Sequence, residues 1–228
     1  MKPENRSPPP AAPDPWLEYI DAKIVWQPLE RSMPQTRARV LDLGCGDGRI
    51  AIRLTTQGFR AVGADLRGGN GPRVIALAEH LPFKDASFDL VIMLLVLMHI
   101  PAEDLVMREV RRVTKVGGKL LVAVGNRQSF TGLAVREQSP RFLMRRIPYA
   151  YYRSYNKNQL ARLLAGKGFK VETLRSVTFV PNFLSKAGPA LVWRFLALAK
   201  NIEGALERIP LLRWFGIRIF AVAEAVEP

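Results

Sequence analysis

The residues of this chain best suited to chemistry form a glycine turn between an apolar stretch and an amphipathic one. The segment from Val40 to Ile50 reads VLDLGCGDGRI, with glycine at positions 44, 46 and 48. Glycine lets the backbone turn sharply and lets a ligand approach it closely. A helix that begins after such a turn directs its free N–H groups and its positive dipole end toward that ligand. The pattern therefore predicts a ligand site where a buried strand runs into a helix.

A carboxylate follows the next predicted strand, because Asp65 comes directly after the apolar run Ala61–Ala64. A carboxylate at a strand tip can accept hydrogen bonds from both hydroxyls of a ribose, as it does in dinucleotide sites. The glycine spacing here is G-x-G-x-G, however, whereas the dinucleotide fingerprint is G-x-G-x-x-G. Asp42 lies two residues before the first glycine. The spacing and the two carboxylates together indicate a ribose-containing ligand in a turn of a different kind.

Four features occur in order along the chain: VLDLGCGDGRI, the Asp65 strand tip, AEHLPFKDASFDLVIMLLVLMHI and VTKVGGKLLVAV. Together they closely resemble the class I S-adenosylmethionine-dependent methyltransferases, in particular the type 11 branch around the ubiquinone/menaquinone methyltransferases. The resemblance covers residues 37–178 and a last strand near Ile217–Glu224. It implies S-adenosyl-L-methionine as the cofactor and methyl transfer as the reaction. It is specific to the superfamily and does not indicate the acceptor.

Short apolar runs alternate with amphipathic stretches from residue 39 onward, which is typical of a parallel sheet with helices on both faces. Strands are predicted at Arg39–Leu43, Ala61–Ala64, Val74–Ala78, Leu90–Leu94, Lys119–Val124 and Lys170–Thr178. Helices are predicted at Arg49–Gln57, Glu103–Thr114 and Asn158–Ala165. The resemblance implies an α/β fold with a Rossmann-like, doubly wound, seven-stranded, mostly parallel sheet whose last strand is antiparallel. An apolar α-helical insertion is predicted near the C-terminus.

The resemblance also implies which residues bind the cofactor: Asp42, Gly44, Cys45, Gly46, Asp65, Ala78, Glu79 and Met93. Asp65 would take the ribose hydroxyls, and Asp42 would orient the methionine end. Ala78 and Glu79 would hold the adenine. Relatives carry an acid immediately before that alanine, but this chain has Leu77 there. Backbone groups of Ala78 or Glu79 must therefore do more of the adenine recognition.

His99 is the candidate catalytic residue, since it follows the fourth strand, where sites in doubly wound sheets open. An imidazole there could remove a proton from a hydroxyl or amine acceptor. A purely structural histidine is the alternative. The sulfonium methyl is already activated, so positioning alone can carry the transfer. The tyrosines at positions 149, 151, 152 and 155 either line an acceptor pocket or brace loops, and no metal-ligand spacing is present.

The net charge and the apolar segment after the fourth predicted strand give indications of the acceptor. The net charge is +14, and residues 126–170 carry basic side chains with Glu137 as their one acid. Such a surface attracts anionic partners. The apolar segment from Met93 to Met98 favours a small or lipid-like acceptor, with peripheral contact to an anionic membrane as a further hypothesis. An RNA methyltransferase and a non-catalytic methyltransferase-like scaffold remain the alternatives.

The domain organisation predicted is a single methyltransferase domain over residues 16–228 behind a disordered tail. Residues 1–15 hold six prolines and few large apolar side chains. A cap segment is predicted at about 126–155 and the apolar helical insertion at about 181–215. Neither contains an uninterrupted apolar run of the ~20 residues that a membrane span needs. The single cysteine and the absence of a signal-peptide pattern favour the cytoplasm.

Overall fold

A computed structural model describes residues 25–27, 37–68, 71–129, 152–177 and 216–227. The predictions for the proline-rich tail and for the apolar insertion lie outside these residues. Of the predicted cap segment, only its two ends are within them. No helix in this part of the chain is both long enough and apolar enough to cross a membrane.

A seven-stranded sheet forms the centre of the described structure, in the order β3-β2-β1-β4-β5-β7-β6. Its strands are β1 (Arg39–Leu43), β2 (Arg60–Asp65), β3 (Arg73–Ile75), β4 (Phe88–Leu94), β5 (Thr114–Gly125), β6 (Phe169–Val177) and β7 (Arg218–Ala225). β7 is antiparallel to both of its neighbours, and the other strand pairs are parallel. The predicted sheet, with its antiparallel last strand, is confirmed.

Three helices and one 3-10 turn lie wholly within the described residues: α1 (Arg49–Thr56), the 3-10 turn Leu97–His99, α2 (Glu103–Val113) and α3 (Lys157–Ala165). Residues 25–27 are helical as well. α2 carries acids in its first turn and arginines in its last turn, which complements the helix dipole. α3 begins with a capping box in which Asn156 and Gln159 each accept the other's backbone N–H. The predicted helices agree with these to within one residue at each end.

The two faces of the sheet bury separate apolar cores, as the alternation of side chains along a strand requires. Val40 on β1 packs with Ile50 and Leu54 of α1 on one face. Leu41, the next residue, packs on the other face with Val106 of α2. Helices therefore cover the sheet from both sides, and every strand that carries a site residue is held by packing on both of its faces.

The strand order reverses between β1 and β4, since the chain runs outward from β1 to β3 and then returns. Ligands of open parallel sheets bind at the carboxyl ends of the strands at such a switch point. β3 is shorter than the predicted Val74–Ala78 and stops at Ile75. β3 is the edge strand, and its one neighbour in the sheet is β2. Because the strand ends early, the chain after Ile75 can turn toward that switch point.

Candidate functional site

The glycine turn after β1 depends on backbone conformations that only glycine adopts easily. Gly44, Gly46 and Gly48 have φ values of +74°, +54° and +80°. Gly44 also lacks space, because a Cβ built on it would lie 2.1 Å from Cγ2 of Val96. A Cβ on Gly46 would meet no atom within 4 Å. The turn therefore packs tightly against the end of β4 at its first glycine and is open at its second.

The first N–H groups of the turn are used inside the protein. Gly44 and Cys45 both donate to the carbonyl oxygen of Ala64, at 2.7 and 3.3 Å. Gly46 donates to Oδ2 of Asp65 at 2.9 Å. In a phosphate-binding turn such groups point at the ligand instead. This turn is therefore shaped by its own hydrogen bonds and is not a phosphate cradle.

Asp42 and Cys45 lie beneath the turn and not on its open side. Asp42 is 3% exposed and Cys45 is 7% exposed. Burial raises the pKa of the Cys45 thiol, and the charge of Asp42 raises it further. Gly63 on β2 makes room for this thiol, because a Cβ there would lie 2.5 Å from Sγ. Cys45 is thus a packed, protonated thiol that supports the turn.

A cavity of about 360 Å³ opens at the carboxyl ends of β1, β2 and β4. Most of the predicted site residues line it: Gly44, Gly46, Asp65, Ala78, Glu79 and His99. The other lining residues are Leu43, Ala64, Leu66, Ala76, Leu77, Leu94, Leu95, Val96, Ile100 and Pro101. The fold thus gathers residues from distant parts of the sequence around one space. Their role in binding stays a prediction.

The described residues of the cavity wall carry negative charge. Asp65 and Glu79 line the cavity, and no lysine or arginine is among the described residues that do so. Oδ2 of Asp65 accepts from Gly46, and its Oδ1 accepts from the backbone N–H of Arg67 at 3.1 Å. Each carboxylate oxygen has a second lone pair for a further donor. The wall suits a ligand that carries positive charge and hydroxyl donors.

The loop after β3 is fixed by an ion pair on α2. The backbone N–H of Leu81 donates to Oε2 of Glu109 at 2.8 Å, and Nε of Arg112 donates to Oε1 at 2.7 Å. Arg112 also donates to the carbonyl oxygens of Leu81 and Phe83. The hydrogen bonds from Arg112 lower the pKa of Glu109. These contacts hold the loop that brings residues 76–79 to the cavity.

The exit of β4 forms the apolar wall of the cavity. Met93 points away from it, since its side chain is fully buried in the core shared with α2 and α3. The following residues Leu94, Leu95 and Val96 line the cavity instead. Leu95 has a φ of +57°, a strained conformation for a leucine, and donates its N–H to Ala123 at 2.8 Å. Such strain is concentrated at ligand sites, and it turns the chain across the cavity mouth.

His99 lies at the far end of this wall beside a tyrosine. The ring centroids of His99 and Tyr152 are 5.7 Å apart, with the planes tilted by 56°. Tyr152 reaches over the end of β5, where a Cβ on Gly125 would lie 2.5 Å from the phenol oxygen. Gly125 thus makes room for the tyrosine. His99 and Tyr152 together form an aromatic edge next to the cavity.

The neighbouring Tyr155 has a bracing role. It is 1% exposed, and its hydroxyl donates to Glu103 Oε2 at 2.6 Å. Arg153 donates to the other oxygen of Glu103 at 2.6 Å, and its backbone N–H donates to Met98 at 2.8 Å. These bonds fasten the segment 152–155 to the chain that follows β4. Tyr149 and Tyr151 lie outside the described residues.

Sequence reasoning missed several residues that shape the site. Leu95 and Val96 belong to the apolar segment from Met93 to Met98, but nothing in that pattern indicates the positive φ of Leu95 or the close approach of Val96 to Gly44. Glu109 and Arg112 read as an ordinary pair three residues apart on a helix. A signal did exist for Gly63, because a glycine inside a strand often marks a close approach of another backbone or side chain.

Several of the proteins that this chain resembles are methyltransferases. A family model described as a methyltransferase domain matches residues 41–122. A protein of Encephalitozoon cuniculi that is named as a methyltransferase is 32% identical over 147 residues, covering 58% of this chain and 70% of that protein. The methyltransferase GfsG of Streptomyces halstedii is 33% identical over 51% of this chain, which spans about half of GfsG, 48%. A demethylmenaquinone methyltransferase of Thermobifida fusca is 39% identical over 36% of this chain and 42% of its own length.

Solved structures show the same fold. A S-adenosylmethionine-dependent methyltransferase of Methanosarcina mazei superposes with a TM-score of 0.61 at 19% identity, over 88% of this chain and 98% of that one. A Haloferax volcanii methyltransferase, solved in complex with the activator Trm112, superposes with a TM-score of 0.64 at 18% identity, over 94% of both chains.

Proposed function

The chain belongs to the class I S-adenosylmethionine-dependent methyltransferases, and on that premise we propose that it moves a methyl group to a small or lipophilic acceptor by in-line displacement. The observation that carries the proposal is the composition of the cavity. Its described wall combines an open glycine turn, two carboxylates and an apolar strand exit, without lysine or arginine.

The charges of the wall favour this cofactor over a dinucleotide. S-adenosylmethionine carries a sulfonium and an ammonium group against one carboxylate, so it is a net cation. A dinucleotide is an anion that needs free N–H groups or cations. Here the turn's first N–H groups are engaged by Ala64 and Asp65, and Oδ1 of Asp47 accepts the first N–H of α1, that of Arg49, at 3.2 Å. The residues present therefore fit S-adenosylmethionine.

Each part of the wall has a role in this proposal. Asp65 would bind the ribose hydroxyls, Gly44 and Gly46 would contact the methionine end, and Ala78 with Glu79 would hold the adenine. The bound cofactor supplies an activated methyl group. The chain itself has to align the acceptor with that group and exclude water, and the apolar, half-buried residues at the exit of β4 are suited to both tasks.

The acceptor end favours a lipophilic molecule. Leu94, Leu95, Val96, Ile100 and Pro101 line the cavity beyond the glycine turn. Apolar acceptors gain free energy by leaving water for such a surface. That one relative is a demethylmenaquinone methyltransferase is consistent with this acceptor class. His99 borders the same end and would take the proton of a hydroxyl or amine acceptor.

RNA is the second candidate acceptor, because of the charge. The net charge is +14, and the described ends of the basic stretch expose Arg127 and Arg162. Cationic surfaces of this kind bind the phosphate backbone with a steep dependence on salt. A basic surface also suits an anionic membrane, which would bring a lipophilic acceptor to the cavity.

Calorimetric titration tests the cofactor assignment. We expect S-adenosylmethionine to bind with a micromolar dissociation constant, about −8 kcal/mol, and NAD to bind far more weakly. Asp65→Ala should weaken binding by roughly 100-fold, since two ribose hydroxyls lose their acceptor. Asp85→Ala removes an exposed carboxylate outside the cavity and serves as the control. Tighter binding of NAD than of S-adenosylmethionine would refute the proposal.

Labelled methyl transfer tests the acceptor. The protein is incubated with methyl-labelled S-adenosylmethionine and, in parallel, with a cellular lipid extract or with unmodified total RNA. Label in the lipid fraction is the expected result, and it should be enhanced by anionic vesicles at low salt. Label in RNA with no label in lipid would move the second candidate ahead.

A further inference from the structure

An arginine on the edge strand reaches back to the glycine turn. Nη1 of Arg73 donates to the carbonyl oxygen of Gly46 at 2.8 Å. The N–H of the same glycine donates to Oδ2 of Asp65 at 2.9 Å. Both peptide groups of Gly46 are therefore held by side chains, one cationic and one anionic. Arg73 lies outside the cavity lining.

These two hydrogen bonds restrain Gly46, a residue whose backbone is otherwise free to move. Glycine has more backbone freedom than any other residue, and Gly46 sits in the left-handed region with a φ of +54°. A Cβ on Gly46 would touch nothing, so packing does not hold it in place. Its conformation rests on these two charge-assisted hydrogen bonds, which are stronger than bonds between neutral groups.

The fold sets Arg73 in position through β2. Arg73 pairs with Gly63 across the parallel β2–β3 ladder, and the N–H of Gly63 donates to Pro72 at 2.8 Å. Gly63 has no side chain to block the path from β3 to the turn. Burial and the charges of Asp42 and Asp65 raise the pKa of Cys45, and the nearby charge of Arg73 opposes this shift. The guanidinium therefore acts on the same few atoms as the two carboxylates.

We propose that Arg73 is a positioning residue for cofactor binding: through the carbonyl of Gly46 it fixes the glycine turn and, through the N–H of Gly46, the ribose-binding carboxylate of Asp65. The inference rests on the proposed binding of S-adenosylmethionine at this turn. With the turn already ordered, the ligand does not have to supply the ordering free energy, and its affinity rises accordingly.

Titration of Arg73→Met with S-adenosylmethionine tests the role. Loss of one charge-assisted hydrogen bond at the turn should weaken binding roughly tenfold. Arg73→Lys keeps the charge and a donor, so it should recover part of that loss. Arg60→Met removes the same kind of side chain at the opposite, exposed end of β2 and should bind like the wild type. Unchanged affinity in folded Arg73→Met overturns the proposal.

A double-mutant cycle separates positioning from general support of the fold. If Arg73 acts through Gly46 on Asp65, the loss caused by Arg73→Met should largely disappear in an Asp65→Ala background. Independent effects of the two changes, adding in full, would overturn the proposal even if each weakens binding. Should Arg73→Met not fold, the same cycle is run with Arg73→Lys.

The wild-type titration distinguishes a failure of the proposed function from a failure of the proposed role of Arg73. If the wild type does not bind S-adenosylmethionine, the proposed function fails before Arg73 is tested. If the wild type binds it and Arg73→Met binds equally well, the function stands and the role of Arg73 falls.

Discussion

At the β2 end of the cavity, where the glycine turn after β1 meets Ala64 and Asp65, the wall is shaped by hydrogen bonds to the backbone of the turn, whereas at the β4 end it is formed by side-chain surfaces. Ala64 and Asp65 take the N–H groups of the glycine turn. Leu95, Val96 and His99 instead present leucine, valine and imidazole surfaces to the same space. A backbone framework tolerates many sequences around it, but a side-chain wall changes with each substitution. We infer that the side chains of the β4 end have the larger influence on which acceptor fits the cavity.

The glycine turn after β1 meets the exit of β4 at Gly44 and Val96. The largest effect is therefore expected from Gly44→Ala. Its φ of +74° costs an alanine about 1–2 kcal/mol. The added methyl would also collide with Val96, at 2.1 Å, and such overpacking costs about 1–3 kcal/mol more. Denaturant unfolding should show the sum of both, together with loss of S-adenosylmethionine binding.

Gly117→Ala is the matched control for that experiment. Gly117 has nearly the same φ, +75°, but a Cβ there meets no atom within 4 Å. It should therefore lose only the backbone part of the free energy of unfolding. Equal losses in the two variants would mean that the contact between the glycine turn and Val96 does not constrain the site.

The positions of the strands and of the turn at the β2 end were easier to predict from sequence, because local residue patterns determine backbone structure of this kind. Strands, turn and helix starts follow from local patterns, so Asp65 and the glycines were assigned to the correct ends of β1 and β2. Met93 was predicted to bind the cofactor, but its side chain is buried in the core, and the next residue, Leu94, lines the cavity. The left-handed conformation of Leu95 has no sequence signal, because leucine rarely adopts a positive φ.

Contacts between distant segments escaped sequence reasoning for a related reason. The bond from Arg73 to Gly46 spans 27 residues, and that from Leu81 to Glu109 spans 28. Arginine and glutamate on an edge strand or a helix usually face solvent, so the residue type and its place in the sequence do not reveal such a role. The order and direction of the strands could be predicted from the sequence, whereas hydrogen bonds between segments far apart in the chain could not.

A second experiment asks whether the β4 end takes part in chemistry. Once an acceptor is identified, His99→Ala should lower kcat by about 10²-fold or more, as loss of a general base does. The affinity for S-adenosylmethionine should stay within about twofold of the wild type, because the β2 end is intact. His80→Ala, an exposed histidine beside the same cavity, is the control. Normal turnover per folded molecule with reduced stability would assign His99 a structural role beside Tyr152.

The smallest effect is expected at the loop after β3, which the side chain of Glu109 holds in place. This side chain is 19% exposed and accepts from Arg112 and from the backbone of Leu81. Glu109→Gln should cost about 1 kcal/mol of unfolding free energy and weaken S-adenosylmethionine binding slightly, since residues 76–79 lose part of their support. Asp85→Asn changes the other acid bound to Arg112, which is 77% exposed, and should cost close to nothing.

The pH dependence of stability provides an independent check on the same carboxylate. The hydrogen bonds from Arg112 lower the pKa of Glu109 below its ordinary value of 4.5. A carboxyl whose pKa is lower in the folded state stabilises the protein above its unfolded pKa, and this stabilisation is lost as the pH falls through the folded pKa. The difference in unfolding free energy between the wild type and Glu109→Gln should therefore be constant near neutral pH and shrink below pH 4.5. A difference that persists unchanged into acid would mean that the loop is held by packing and not by the Glu109 charge.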